Sequence, residues 1–361
     1  MSLRGKNILL ISPEPWDHIF VSKHHYAIHL GRLGNRVFFL NPPGKANNVS
    51  HTEYENVFTL NYTGFVKGLR FLPKRLQLSL LSRKYTFLET LSKTTFDVIW
   101  TFDNSVFFNL SFLQRSILKI VHIVDMNQDF NFEELAGTAD ICFGVSEFIV
   151  ARLRRANTRS FHLHHGLAFH QGGGFTILDN GNRGLKAGYA GNLDLKYIDW
   201  PMFDEIVSAN QDITFYFAGP FSESNSYVKS LRQRPNVVLL GKIKASDIPC
   251  FLREMDILLL FYRVSEFPEQ LSNSHKVMEY LGSGKTIVSS WLSDYQNFQK
   301  LIEMAKSREE LPALLQRVKI GLAHHNSDIM IAQRMNFAMS QTYDSQIERV
   351  QGLIEKELAW R

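Results

Sequence analysis

The feature that most constrains this chain is a regular alternation of short apolar runs with helical segments. The runs NILLIS, RVFFLN and DVIWTF show no polar alternation, which is typical of strands buried on both faces of a parallel sheet. Between the first two runs, Ser22 to Leu33 carries apolar residues at helical spacing and stops at Gly34. Because parallel strands need crossover connections, this order predicts a doubly wound parallel sheet.

The alternation occurs in two series with a break between them. The stretch 171–186 contains QGGG and LDNGNRG, which are rich in Gly and Asn and suit an interdomain connection. A second series of apolar runs follows: KAGYAG, ITFYFAG, NVVLLG, DILLLFY and TIVSSW. We therefore predict an α/β fold of two doubly wound, Rossmann-like domains, 1–170 and 171–342, facing a central cleft. An amphipathic helix within 343–361 ends the chain.

Composition narrows the class of protein. Of the 361 residues, 45% are hydrophobic and 21% are charged, as in ordinary globular chains. Cys142 and Cys250 both lie in apolar runs, so buried thiols in a reducing compartment are expected rather than a disulfide framework. No uninterrupted apolar run reaches the roughly 18 residues of a membrane-spanning helix. These features favour the cytoplasm.

The net charge of +5 is unevenly distributed. The first 170 residues contain 19 Lys and Arg against 13 Asp and Glu, so the basic excess lies in the first half. Within it, the stretch 64–88 contains six basic residues and no acidic one, interleaved with apolar residues. Such a stretch can lie on an anionic membrane surface, although a core helix with a solvated basic face is the alternative. Nucleic-acid binding is not expected, because no recognition motif accompanies the charge.

The motif GSGKT at Gly282–Thr286 resembles part of a phosphate-binding loop. That loop requires a glycine where this chain has Glu279, and it lies between a strand and a following helix. Here the helical run KVMEYL precedes the motif and the strand-like TIVSSW follows it. The glycines are better interpreted as a helix C-cap and a tight turn, so a kinase or ATPase remains only a rival hypothesis.

The segment NSHKVMEYLGSGKTIVSS predicts an anion site. Asn273 and Ser274 can cap a helix, whose N-terminal N–H groups attract phosphate. His275 and Lys276 add donors and positive charge at that end. Glu279, one turn later, could accept hydrogen bonds from a ribose diol. A solvated Lys–Glu pair on a helix surface is the alternative.

The histidine-rich run HLHHGLAFH invites a metal hypothesis. His162 and His164 would share one face of a strand, whereas His165 would face the other way. No Cys or carboxylate in the run completes a ligand set. We therefore predict no metal site.

The blocks of the second half together resemble a known family. The blocks are GYAGNLDLKYIDWPMFDEI, ITFYFAGPF, NVVLLGKIKASDIPCFLREMDILLLFYR and HKVMEYLGSGKTIV. In order and spacing they are similar to the nucleotide-binding half of GT-B glycosyltransferases, most like glycosyltransferase family four. TADICFGVSEFIVARL and TYDSQIERVQGLI also match, and in the family the last segment is a helix that crosses back onto the first domain.

The resemblance implies an enzyme of the hexosyltransferase type. Such an enzyme transfers a sugar from a nucleoside-diphosphate sugar to a hydroxyl acceptor, in surface polysaccharide or lipid-linked saccharide biosynthesis. The family usually works without a catalytic metal, so no cofactor is expected. A nucleotide-sugar epimerase of the same fold and a non-catalytic sugar-nucleotide-binding protein remain alternatives.

The resemblance also assigns donor-binding residues. Many retaining members carry two glutamates separated by seven residues; Glu279 matches the second, but the first position is Leu271. This departure leaves the stereochemical outcome open. The implied roles are diphosphate contact for Gly191, Asn192 and Lys196, proximity to the base for Lys242, the cleft edge for Tyr262 and Arg263, phosphate cover for Ser274, His275 and Lys276, and ribose contact for Glu279.

The first half supplies candidates for the acceptor side. In IVHIVDMNQDF, Asp125 follows a strand and could act as general base if the enzyme inverts, or orient sugar hydroxyls if it retains. Asp129 is a weaker candidate one turn later, and a helix cap is the alternative for both. Lys23, His24 and His25 begin the first helix, where positive charge would favour a leaving diphosphate. A solvated helix start is the alternative. Our candidate catalytic residues are Asp125, His24 and Lys276.

Overall fold

The computed structural model describes residues 2–125, 132–168 and 184–359. The chain divides into two compact units: unit 1 is Met1–His165 with Tyr343–Arg361, and unit 2 is Gly166–Thr342. Sequence analysis placed the boundary between 170 and 171. That position, the proposed Gly-rich connection up to residue 183, and Asp129 lie outside the described residues.

The described part of unit 1 contains an eight-stranded sheet in the order β3-β4-β2-β1-β5-β6-β7-β8. All neighbouring strands run parallel except the β3–β4 hairpin. Every residue of β6 is buried, Lys119 and His122 included, as in a strand covered on both faces of a parallel sheet. The strands are β1 Asn7–Ile11, β2 Arg36–Leu40, β3 Asn48–His51, β4 Val57–Asn61, β5 Val98–Thr101, β6 Leu118–Ile123, β7 Ile141–Gly144 and β8 Ser160–His162.

The winding of this sheet reverses at β1, because β2 lies on one side and β5 on the other. Right-handed crossovers then place the connecting helices on opposite faces. The carboxyl ends of β1 and β5 form the switch point, where ligands bind in open α/β sheets. The connecting helices are α1 Ser22–Arg32, α2 Lys74–Ser92, α3 Phe132–Gly137 and α4 Glu147–Arg154, with a 3₁₀ turn at Leu69–Phe71.

The described part of unit 2 contains a six-stranded, fully parallel sheet in the order β11-β10-β9-β12-β13-β14. Its winding reverses between β9 and β12, which is the second switch point. The strands are β9 Leu185–Ala190, β10 Ile213–Ala218, β11 Val237–Gly241, β12 Ile257–Leu260, β13 Thr286–Ser290 and β14 Glu303–Ala305. The helices are α5 Trp200–Ala209, α6 Ser226–Arg232, α7 Ile248–Glu254, α8 Pro268–Leu271, α9 Lys276–Ser283, α10 Leu311–Ile320, α11 Leu322–His325 and α12 Asp328–Met339, with 3₁₀ turns at Ala245–Asp247, Ser293–Phe298 and Arg308–Glu310.

The last helix, α13 (Tyr343–Glu357), belongs to unit 1. The Tyr343 ring stacks on His25 at 4.8 Å between centroids, and its hydroxyl donates to Ser22 Oγ at 3.3 Å. Ile347, Val350 and Ile354 are buried, as the amphipathic spacing predicts. No helix among the described residues combines the length and hydropathy that spanning a membrane requires.

A buried histidine lies in the centre of the unit 1 sheet. His122, on β6, is 1% exposed, and neither ring nitrogen has a hydrogen-bond partner among the described residues. Phe102, Tyr26 and Phe143 surround it at 4.8–5.9 Å between ring centroids. Burial lowers the pKa of His122 to about 3, helped by repulsion from His165.

This histidine makes stability depend on pH. An unfolded histidine titrates near 6.5, so between pH 6.5 and 3 the unfolded chain binds more protons than the native one. The free energy of unfolding therefore falls on acidification, by up to about 1.4 kcal/mol per pH unit for this group. We expect His122→Phe to fold, since the surrounding side chains are aromatic. Its free energy of unfolding, measured by urea denaturation, should decline less between pH 7.5 and 4.5 than that of the wild type. A decline equal to that of the wild type would contradict this.

Candidate functional site

Glycines follow the central strands of unit 2 at their carboxyl ends. Gly191 N–H donates to the carbonyl of Ala218 at 2.8 Å, and Gly219 N–H donates to that of Gly241 at 2.7 Å. Gly191 has φ +149° and Gly219 has φ +154°, values that L side chains rarely adopt. A Cβ on Gly219 would collide with the carbonyl of Gly191. The backbones therefore pack closely here, at the carboxyl edge of the sheet.

Lys276 lies directly over this glycine edge. It is the first residue of α9 and is 4% exposed. A Cβ on Gly191 would collide with Lys276 Cε and lie 2.9 Å from Nζ, so only glycine permits this approach. The ammonium lies 5.7 Å from the centroid of the Tyr189 ring and has no hydrogen bond or ion pair to any described residue. A buried charge without a partner is costly, and an anion would offset that cost.

Glu279 lies one turn along α9 from Lys276. The residue is half-buried, and burial raises the pKa of its carboxyl, while the charge of Lys276 opposes that shift. Glu279 lines a cavity of about 150 Å³ together with Leu167, Ile248 and Leu252. The carboxyl therefore has a mainly apolar slot on one side and a cation nearby.

The predicted capping of α9 is wrong. The helix begins at Lys276 with His275 at the N-cap, and no side chain caps it. Asn273 Oδ1 instead accepts a hydrogen bond from the Tyr295 hydroxyl at 2.9 Å. Ser274, half-buried, receives Val277 N–H at its backbone carbonyl at 3.0 Å. The N-terminal N–H groups of α9 therefore carry no side-chain cap.

Lys196, Tyr262 and Arg263 form a second group. Lys196 is exposed, with its ammonium 5.1 Å from the Phe267 ring centroid. Arg263 pairs with Glu266 at 3.0 Å and donates to the carbonyl of Lys196. Tyr262 is 4% exposed and packs in the core of unit 2, and together with Arg263 it lines a cavity of about 720 Å³. These contacts give Arg263 and Tyr262 structural partners that the sequence did not show.

The remaining donor candidates are exposed at strand ends. Asn192 follows Gly191, and its Oδ1 accepts Asp194 N–H at 2.9 Å, which shapes the loop after β9. Lys242 follows β11 directly and is exposed. Gly284, the C-cap of α9, has φ +77° and precedes β13. The helix-to-strand order around GSGKT is therefore the reverse of a phosphate-binding loop.

His24 has a structural environment rather than the one predicted for a catalytic group. It is fully buried; its Nδ1 accepts Val21 N–H at 3.2 Å, and its Nε2 donates to the carbonyl of Pro15 at 3.1 Å. The ring stacks on Phe20 at 4.8 Å. Because Nδ1 accepts an N–H, the ring is neutral and caps α1, and burial lowers the pKa of His24 in agreement with this. The prediction that His24 contacts a leaving diphosphate is therefore wrong, because the ring is buried and both of its nitrogens bond to the backbone.

The switch point of unit 1 brings together charged groups. Glu14 follows β1, and its Oε2 lies 2.7 Å from the ammonium of Lys23, which is 2% exposed. Asp103 follows β5, and burial raises the pKa of its carboxyl. Asp125 follows β6, is exposed, and lines a small cavity of about 50 Å³ with Glu14 and Asn104.

Sequence reasoning named Asp125 and Lys23 but missed Glu14 and Asp103. The signal that could have found them is positional, because a carboxylate within three residues of the end of each of two central strands lies near the edge where ligands bind. In the histidine-rich run, His162 contacts the backbone rather than a metal ligand set: its Nε2 lies 2.8 Å from the carbonyl of Val145. In the described part of the chain, no group of three or more His, Cys, Asp or Glu could hold a metal ion.

The comparisons with known proteins give one curated relative and many solved structures. No protein-family model matches the chain. A 121-residue stretch is 27% identical to a Bacillus subtilis (strain 168) protein named teichuronic acid biosynthesis glycosyltransferase TuaH; it covers 33% of this chain and 30% of TuaH. The matched stretch thus spans about a third of that relative.

The solved structures are similar over nearly the whole chain. A glycosyltransferase from Rickettsia africae ESF-5 has a TM-score of 0.69 at 10% identity, covering 98% of each chain. Anabaena Alr3699/HepE in complex with UDP-glucose has a TM-score of 0.63 at 12% identity, covering 98% of this chain and 100% of that one. With both units wound as parallel α/β sheets, this likeness shows that the chain has the GT-B fold of glycosyltransferases.

Proposed function

We propose that this protein is a glycosyltransferase that moves a sugar from a nucleoside-diphosphate sugar to a hydroxyl acceptor. The observation that carries the proposal is the buried ammonium of Lys276, without an ion-pair partner among the described residues, held over Gly191 at a strand edge. The GT-B fold and the UDP-glucose complex of Anabaena HepE support the class of donor. The name of TuaH supports a cell-surface glycan as the product.

The geometry suits a reaction in which a diphosphate departs. When the glycosidic bond of the donor breaks, negative charge develops on the phosphate oxygens. A pre-positioned ammonium in a poorly solvated place stabilises that charge strongly, because little water screens it. The glycine edge lets the backbone approach the same phosphates. Since Lys276 supplies fixed positive charge, we propose that no metal or other cofactor is obligatory.

Glu279 is proposed to hold the ribose. Its carboxylate can accept hydrogen bonds from two neighbouring hydroxyls, and it lies one helical turn from Lys276. The adjoining apolar slot, lined by Ile248 and Leu252, suits the flat face of a base. Lys242, Asn192 and Lys196 remain candidates for the base and phosphates. The sugar is held differently from relatives with two glutamates, because Leu271 is buried in the core of unit 2.

The acceptor chemistry is proposed for unit 1. Asp125 would take the acceptor proton if the enzyme inverts, or orient hydroxyls if it retains. Glu14 and Asp103 lie at the same switch point and add hydrogen-bond acceptors for a saccharide. We propose a cytoplasmic reaction with a glycan or lipid-linked acceptor, which agrees with Cys142 and Cys250 being thiols that form no disulfide.

A non-catalytic sugar-nucleotide-binding protein is the second candidate, because Leu271 occupies the place of a sugar-holding glutamate. A thermal-shift screen against nucleotide sugars, followed by transfer assays with saccharide acceptors, separates the two. We expect one donor to raise the melting temperature and to release free nucleoside diphosphate when an acceptor is present. Donor binding without transfer to any acceptor favours the binding protein, and conversion of the donor sugar without acceptor favours an epimerase.

Lys276→Met tests the donor site. The variant keeps the apolar stem and removes the charge, so we expect unchanged or higher melting temperature and at least about tenfold weaker donor binding by calorimetry. Lys285→Met is the matched control, since a phosphate-binding loop would need Lys285 and the proposed site does not. Loss of binding in the Lys285 variant alone would reverse the assignment in favour of a nucleotide triphosphatase.

The ribose contact predicts a pH dependence. The raised pKa of Glu279 means that its carboxylate is protonated at a higher pH than the ordinary value of 4.5. Donor affinity should therefore weaken on acidification before ordinary glutamates titrate. Calorimetry from pH 8 to 5.5 should show this decline in donor affinity in the wild type and in the exposed control Glu269→Gln. Glu279→Gln should bind the donor more weakly at pH 8, and its affinity should not decline further on acidification. An equal decline in all three proteins argues against the ribose placement.

Asp125→Asn separates binding from transfer. Because Asp125 lies in unit 1 and the proposed donor groups lie in unit 2, donor affinity should stay within about twofold. The transfer rate should fall by about a hundredfold if the carboxylate is a general base. Asp17→Asn, another exposed carboxylate of unit 1, is the control. Unchanged transfer in the Asp125 variant would remove this residue from the mechanism.

A further inference from the structure

A 3₁₀ turn and the start of α2 hold large apolar side chains in solvent. Phe71 is 85% exposed, Val66 is 58% exposed and Leu76 is 53% exposed. Lys67 and Arg75 are exposed between them. Scattered exposed apolar residues are ordinary, whereas three in one short segment mark an interaction surface.

Contacts with the core and with α2 hold this turn in place, so that Phe71 stays exposed. Leu69 is buried in the core of unit 1 at 7% exposure. Gln77, 8% exposed, donates from Nε2 to the carbonyls of Arg70 and Leu72, both at 2.8 Å. Phe71 lies between these anchored residues. It cannot turn into the core without breaking the contacts that tie the turn to α2.

Helix α2 extends the same surface. Leu76, Arg83 and Phe87 recur at helical spacing and are all exposed, Phe87 at 38%. The opposite face carries Leu81 and Leu88, which are buried. An apolar and cationic stripe therefore continues from the turn along the outer face of the helix.

The charges on this surface are available to a partner. Lys74 pairs with Glu134, and Lys84 donates to the carbonyl of Thr63 at 2.7 Å, so these two cations serve unit 1 itself. Lys67, Arg75 and Arg83 are exposed and have no hydrogen bond or ion pair to any described residue. The stretch 64–88 contains no acidic residue.

We propose that this surface docks unit 1 on an anionic lipid bilayer. We call it the docking surface; it consists of Val66, Lys67, Phe71, Arg75, Leu76, Arg83 and Phe87. The apolar side chains would enter the boundary between headgroups and acyl chains while the cations meet lipid phosphates. Projecting apolar groups ringed by unpaired cations complement a bilayer, which offers apolar depth beneath a layer of negative charge. The proposal does not depend on glycosyl transfer.

The test is co-sedimentation of the full chain with vesicles of phosphatidylcholine, with or without phosphatidylglycerol. We expect binding to the mixed vesicles only, and a decline as salt concentration rises. Soluble glycerol phosphate should not compete, because it offers the headgroup without the apolar layer. Equal binding to both vesicles, insensitivity to salt, or full competition by glycerol phosphate would overturn the proposal.

Variants locate the binding. Phe71→Ser should weaken partitioning at least about tenfold, and Lys67→Glu with Arg75→Glu should abolish it, while far-UV circular dichroism and melting temperature stay unchanged. Ile320→Ser is the matched control, since Ile320 is 87% exposed in unit 2. If Phe71→Ser leaves vesicle binding intact, or only converts a dimer to a monomer in light scattering, the bilayer is not the partner of this surface.

Discussion

The proposed chemistry of unit 2 depends on one contact, the ammonium of Lys276 lying against Gly191 at the carboxyl end of β9. An ammonium buried without an ion-pair partner is ordinarily costly. Here the start of α9 beside it carries no side-chain cap. The glycine is required because any side chain would displace the lysine. Charge, backbone conformation and sheet topology therefore act together at one point.

Unit 1 follows the same topological rule with different chemistry. Its switch point holds the Lys23–Glu14 pair and the buried carboxyl of Asp103, whose pKa burial raises. The cation is neutralised there, so this edge lacks the unpaired positive charge of unit 2. The anion site proposed for unit 2 and the acceptor site proposed for unit 1 therefore differ in charge. The docking surface lies elsewhere in unit 1, on the turn before α2 and along that helix.

The strands could be predicted because they are continuous apolar runs. NILLIS, RVFFLN and the runs of the second series all became parallel strands, mostly buried except for the half-buried β11, and the spacing of α13 placed its buried face. The corrections concern side chains whose partners lie far along the chain. Asn273 does not cap α9 because Tyr295 donates to it, and His24 is buried because Phe20 and the Pro15 carbonyl enclose it. Hydropathy and spacing do not report such partners.

The sequence by itself determined the two series of strands, the position of α9 after β12, and the basic, acid-free stretch at 64–88. Local propensity and periodicity suffice for those features, since each depends on residues close together in the chain. Only the tertiary structure decided that Lys276 lies on Gly191, that Glu14 pairs with Lys23, and that Phe71 stays in solvent. These outcomes depend on the close approach of residues far apart in sequence, where packing and desolvation, not local pattern, set the energy.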